Sequence, residues 1–362
     1  MLPSTMARLR TWLVSGLPPA PAGEGDALEL VRAAGHQGLA GLLHETVHGN
    51  PGWPPGALDL LRGAHRRALR DGLLQLDLLE DTRARLAARG VRSLPLKGAA
   101  LAESLYASVA ERPMADVDLL VLNRWPDALA ELDRAGFTLE EAADHACCFR
   151  AATGQRLELH HALTSCPGLH PLDRDGLWER SRSGPGQVTR LPGHEDLFVQ
   201  LCRHAAFQHG LVLSLIQHLD LRRWLDRGPV DVQRLATLAF HQHADTDVAL
   251  ALAAAEIVVG AQVPDELRAA FPLPRGLRRW LDERRTRPLT LVAPAAPDLL
   301  RVRWGLVAGR RAAFVRGTLL PRLPGVRVAA WRVPWHVLRR GVHLAGRWTL
   351  RPHRIRATLV RS

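Results

Sequence analysis

Asp116 and Asp118 stand two residues apart where a short apolar run, Leu119-Leu120-Val121-Leu122, begins. If that run is a strand, the two carboxylates leave it on one face. Carboxylates held side by side repel each other and stay ionised only with a cation between them. Mg²⁺ (or Mn²⁺) is the natural choice, because it prefers oxygen ligands and shares its shell with substrate phosphates. Two such ions about 3.5–4 Å apart would clamp the attacking and leaving oxygens of an in-line displacement. A third acidic group is available further on. Arg156-Leu157-Glu158-Leu159-His160 alternates polar and apolar, so Glu158 shares a face with His160. Paired beside the aspartate strand, Glu158 would lie within a cross-strand spacing of about 5 Å.

Of the 48 basic residues, 47 are arginine and one is lysine, Lys97, just before a glycine and shortly ahead of the acidic pair. Lysine is a compact point charge on a thin stem and arginine a planar fork, so a narrow site can demand the former. Gly98 opens a predicted helix, whose first amides and dipole suit phosphate oxygens. Lys97 would then neutralise phosphate charge, and Arg112 could make a forked contact.

The elements that must hold these residues follow from periodicity and punctuation. Helices are predicted over Thr5 to Ser15, Asp26 to His48 and Pro55 to Arg89. The last carries an apolar stripe through Leu69, Leu73, Leu76, Leu79 and Leu86 and a stop at Gly90. Short strands are predicted at Val91 to Leu96, Val117 to Leu122, Cys147 to Ala151 and Arg156 to His161, with helices at Ala99 to Ala107 and Pro126 to Ala135. That order indicates a compact mixed sheet with helices on one face. From Leu169 the chain reads as helical again, with candidates at His194 to His209, Val212 to Arg227, Asp231 to His243, Asp247 to Val258 and Asp265 to Phe271. The fold class expected is α+β, a small mixed-sheet palm between mainly helical N- and C-terminal regions. Its predicted divisions are 1–90, 91–165, 166–300 and an arginine-rich tail, 301–362.

Charge is concentrated at the end of the chain. The net charge is +12, yet the 62 residues from 301 to 362 hold fifteen arginines and no acidic residue, which leaves the rest slightly acidic. The tail suits an anionic membrane surface, a nucleic acid or the acidic body of the protein itself. No uncharged apolar run reaches the length of a spanning helix. The four cysteines lack CxxC spacing, which argues against a zinc site or a disulfide framework. Cytoplasmic localisation, with possible peripheral membrane contact, is the expectation.

The segments LKGAALAESLY, RPMADVDLLV and LELHHAL resemble the uncharacterised nucleotidyltransferase family of the DNA polymerase beta superfamily. Later, LPGHEDLFVQLCRHAAFQHGLVLSLIQHLDLRRWL is similar to that family's helical region, with His204, His209 and Asp220 at its recurrent positions. The resemblance implies a magnesium-dependent transferase that moves a nucleoside monophosphate from an NTP to an acceptor hydroxyl on a small molecule, peptide or protein. It implies Asp116, Asp118 and Glu158 as catalytic metal ligands and Lys97, Gly98 and Arg112 as nucleotide contacts. His160, His204, His209 and Asp220 would support them, or staple the helical region to the palm. Two positions depart from the family's pattern, Glu158 for the usual Asp and His161 for the usual Trp. The alternatives are a palm that binds NTP without turnover, or a toxin–antitoxin-like module that modifies a partner.

Overall fold

The computed structural model describes residues 3–143, 145–166, 168–184, 190–282, 302–307 and 309–319. Most of the arginine-rich tail therefore lies outside the described residues. The chain opens with helices α1 (Pro3–Ser15), α2 (Glu24–His36), α3 (Ala40–Val47) and α4 (Pro55–Ala88). One long helix was predicted from Asp26 to His48. The chain instead turns at Gln37–Leu39, with Gly38 in the left-handed conformation (φ 70°). The break has a partner: Gln37 accepts hydrogen bonds from the Leu215 amide through Oε1 (2.9 Å) and from the Ile216 amide through its carbonyl (3.2 Å). On α4 the buried stripe runs through Leu61, Leu76, Leu79 and Leu86, whereas Leu73 faces solvent.

The palm follows: β1 (Ser93–Pro95), α5 (Lys97–Leu101), β2 (Val117–Val121), α6 (Trp125–Arg134), β3 (Thr138–Ala142), β4 (Ala146–Arg150) and β5 (Arg156–His160). Helix α5 ends at Leu101, short of the predicted Ala107. The five strands form one mixed sheet in the order β1-β2-β5-β4-β3, and β2 and β5 are its parallel pair. Alternation sorts the two faces. Val117, Leu119 and Val121 of β2 and Leu157 and Leu159 of β5 point into the main core, where β2 packs on α4 and α5. Leu94, Leu96, Leu120 and Leu122 form a second, smaller cluster with Leu177 on the other face. Helices were predicted on one face alone; α7 (Arg174–Glu179) covers part of the second. Asp118, Glu158 and His160 belong to that second face, beyond its apolar cluster.

A small hairpin, β6 (Arg182–Ser183) and β7 (Arg190–Leu191), leads into α8 (His194–Arg203), α9 (Leu215–Leu225), α10 (Val232–His241), α11 (Asp245–Val259), α12 (Asp265–Ala270) and α13 (Arg275–Asp282). Between α8 and α9 the coil widens to a π-helical turn, His204–Gln208. A final described helix spans Arg311–Leu319. One apolar core runs from Met6 to Phe314, so the first helix packs with the helices beyond the palm. Arg10 fastens that contact by donating to the Val258 and Ile257 carbonyls (3.3 and 2.8 Å). Among the described residues no helix is long and apolar enough to cross a membrane.

Candidate active site

The register of β2 and β5 places Asp118 directly beside Glu158. Their carboxylates converge on Lys97, whose Nζ donates to Asp118 Oδ1 at 2.6 Å and to Glu158 Oε2 at 3.5 Å. Lys97 reaches them from an unusual backbone, with φ at 47° in a residue that is not glycine. Such a conformation costs energy and persists where its surroundings impose it, which is common at functional sites. His160 completes the cluster. Its Nε2 lies 2.8 Å from Asp118 Oδ1 and 3.3 Å from Glu158 Oε2.

Charge in this cluster is closely matched. Burial works against the Lys97 ammonium, but Asp118 and Glu158 outweigh it and hold the group firmly protonated. Burial also opposes charge on His160, and its bonds to Asp118 and Glu158 again prevail, raising its pKa. Glu158 is pushed up by burial yet drawn well below the carboxylate range by His160 and Lys97. Asp116 is the exception. It sits just ahead of β2, where burial and the negative charges of Asp118 and Glu158 raise its carboxyl to about 6. Crowded carboxylates, one of them reluctant to ionise, could hold a divalent cation.

One further residue was not predicted. His145, between β3 and β4, offers a ring nitrogen within 4.8 Å of ligand atoms from Glu158 and His160. Only the antiparallel pairing of β4 with β5 brings it there, with neighbouring Ala146 opposite His160.

Arg112 is held differently from the rest. Its Nε and Nη2 form a two-pronged contact with Asp220 of α9, at 2.8 Å each to Oδ1 and Oδ2, and Nη1 donates to the Pro113 carbonyl at 2.9 Å. Tyr106 adds its hydroxyl to Asp220 Oδ1 at 2.6 Å, and all three side chains are buried. Arg223 lies over the Tyr106 ring and pairs with Glu111. The segment 106–112 is therefore tied to α9 by buried charge. Nη1 of Arg112 also borders Gly98: a Cβ added there would lie 3.6 Å from it and 2.8 Å from Met114 Cγ. Glycine is what lets this segment close over α5.

The uncharacterised nucleotidyltransferases match as a family over residues 23–260. The chain belongs to that family. The match begins just before α2 and ends just after α11, so it takes in the palm and most of the helices around it. No curated protein matches the chain. Solved structures similar to it include the antibiotic-resistance factor ANT(2'')-Ia, at 15% identity and a TM-score of 0.34 over 47% of this chain and 98% of that one. Another is an antigenic nucleotidyltransferase-like protein from Paracoccidioides brasiliensis, at 19% identity and a TM-score of 0.30 over 50% of this chain and 93% of that one.

In this nucleotidyltransferase the two later histidines bracket the π-helical turn, a local widening frequent at functional sites. The rings of His204 and His209 meet edge to face at 4.4 Å. Burial depresses both. His204 is lowered further by His209 and Lys97, and His209 falls to about 4 with Lys97 and Arg303 contributing. They stand as neutral imidazoles within the field of the Lys97 and Glu158 charges. Asp220, by contrast, is committed to Arg112 and Tyr106.

Proposed function

We propose that the protein transfers a nucleoside monophosphate from an NTP to a hydroxyl-bearing acceptor, with Mg²⁺ or Mn²⁺ held by Asp116, Asp118 and Glu158. The observation that carries this reading is the convergence of Lys97, Asp118, Glu158 and His160 on one face of the β2–β5 pair, with Asp116 beside them. When bound, the cation supplies charge neutralisation at the reacting phosphate and an oriented, more acidic acceptor oxygen.

The chain's own residues do the rest. His160 fixes the Asp118 and Glu158 carboxylates in place through Nε2, so they need little rearrangement to accept a cation. Lys97 neutralises those carboxylates in the free protein. On nucleotide binding its ammonium turns to the triphosphate, which then shares the site's negative charge. The first-turn amides of α5 around Gly98, which no helical carbonyl can accept, face the same phosphates. Arg112 spends its fork on Asp220, so its contribution to nucleotide comes from the Nη1 edge beside Gly98. Glu158, held ionised as a ligand, would help the cation to activate the acceptor hydroxyl, whose proton passes to water. Preorganised charge of this kind is where most of the rate gain arises. The neutral pair His204 and His209 stands near enough to the cluster to feel the Lys97 and Glu158 charges.

The test is isotopic. Protein incubated with Mg²⁺, a cell extract as acceptor source, and NTP labelled at the α- or the γ-phosphate should transfer only the α-label. Transfer of the γ-label would make the protein a phosphoryl transferase. Transfer of neither would favour a palm that binds without turnover.

A further inference from the structure

A second group of ligating side chains lies away from the palm carboxylates, on the pair of helices α3 and α4. His44 and Glu45 of α3 and His65 of α4 each offer a ligand atom, and the three atoms lie within 4.8 Å of one another. His65 Nδ1 is 3.2 Å from Glu45 Oε1, yet neither His65 Nδ1 nor His44 Nδ1 has a hydrogen-bond partner, although both atoms are buried. The His44 and His65 rings approach to 4.8 Å between centroids. A buried ring nitrogen without a partner, His44 Nδ1, and a second held only by a poorly aligned contact to a carboxylate, His65 Nδ1, are costly as they stand. Together they are a set of donors for a metal ion.

We propose that His44, Glu45 and His65 form a site for a divalent transition cation of the Zn²⁺ class, which clips α3 to α4. Two imidazoles and a carboxylate are a zinc ligand set, and the nitrogen donors select against Mg²⁺. In a tetrahedral shell with bonds near 2.0 Å, neighbouring ligand atoms stand about 3.3 Å apart. The His65–Glu45 distance already meets this, and the third ligand atom lies within 4.8 Å of both. Burial and the neighbouring His65 keep His44 below its ordinary pKa. Arg62, the cation nearby, is neutralised by Asp59 at 2.6 Å. The fourth position is open to water or to His48, one turn along α3, whose Nδ1 is occupied by the His44 and Glu45 carbonyls.

The clip bears on the rest of the molecule through what these helices hold. Gly41 of α3 lies so close to the palm segment that an added Cβ would stand 1.9 Å from the Ala110 carbonyl oxygen. Gln75 of α4 donates to the Met114 carbonyl at 3.0 Å. Together they support the segment that carries Arg112 and leads into Asp116.

The experiment uses untagged, chelator-stripped full-length protein in excess Mg²⁺. Zn²⁺ is titrated by calorimetry, and Co²⁺ is followed by its visible absorption. Wild type should bind one equivalent of Zn²⁺, give the intense spectrum of tetrahedral Co²⁺ and melt at a higher temperature with Zn²⁺ present. Asp118→Asn should keep all three properties. His65→Ala should lose them, and Glu45→Gln, an exposed change that leaves the fold intact by circular dichroism, should weaken Zn²⁺ at least tenfold. Absence of tight Zn²⁺ binding by wild type would overturn the proposal. So would binding that survives both α3–α4 variants, or binding that disappears with Asp118→Asn and so belongs to the palm.

Discussion

Replacing Asp220 with alanine tests whether the palm is anchored to the helices by buried charge. The substitution leaves the Arg112 guanidinium without its two 2.8 Å contacts and the Tyr106 hydroxyl without its 2.6 Å acceptor. Arg112 and Asp220 are only 8% and 2% exposed, so water does not replace the lost partner. Removing one member of a buried ion pair typically costs about 3–5 kcal/mol, most of it the penalty of the charge left behind. Against a total stability of about 5–15 kcal/mol, that is a large fraction. Urea denaturation should show a loss of unfolding free energy of this size in Asp220→Ala. The triple variant Asp220→Leu/Arg112→Met/Tyr106→Phe, which removes the stranded charge and hydroxyl together, should recover part of it. An Asp220→Ala protein within about 1 kcal/mol of wild type would refute the buried-anchor reasoning.

Two other outcomes follow from the site. The Asp116 carboxyl, raised from 3.8 to about 6, favours the folded state when protonated. Metal-free wild type should therefore lose up to roughly 3 kcal/mol relative to Asp116→Asn as pH rises through that window. Stabilisation by Mg²⁺ with NTP, which needs the ionised form, should run the opposite way and fade below about pH 6; differential scanning fluorimetry across pH reads both. Gly98→Ala puts a methyl 2.8 Å from Met114 Cγ, so urea denaturation should show a loss of about 1–3 kcal/mol from overpacking. NTP affinity should fall with it, and a neutral result would mean that Met114 moves aside freely.

The palm was legible in the sequence because its signals are local. Period-two alternation set Glu158 and His160 on one face, and the Asp116/Asp118 spacing marked the start of β2; the register then brought Asp118 beside Glu158. What escaped has physical causes. Strand β3 (Thr-Leu-Glu-Glu-Ala) is exposed throughout and carries no apolar alternation. It is a strand only because β4 pairs with it. The turn at Gln37–Leu39 is held by bonds to α9, nearly 180 residues away. His145 sits in a short connection that nothing local distinguishes. Arg112 and Asp220 were each singled out, but their pairing over 108 residues exists only in three dimensions. The π-helical turn after α8 likewise has no periodicity of its own to read in a helical stretch.

The most direct test of the proposed activity is NTP binding by calorimetry, with and without Mg²⁺, in wild type and in Asp116→Asn/Asp118→Asn. It requires no knowledge of the acceptor. Wild type should bind NTP only when Mg²⁺ is present, and the folded double variant should lose that binding. Failure of well-folded wild type to bind any NTP with Mg²⁺, or equal binding by the double variant, would contradict a metal-and-nucleotide site at these carboxylates.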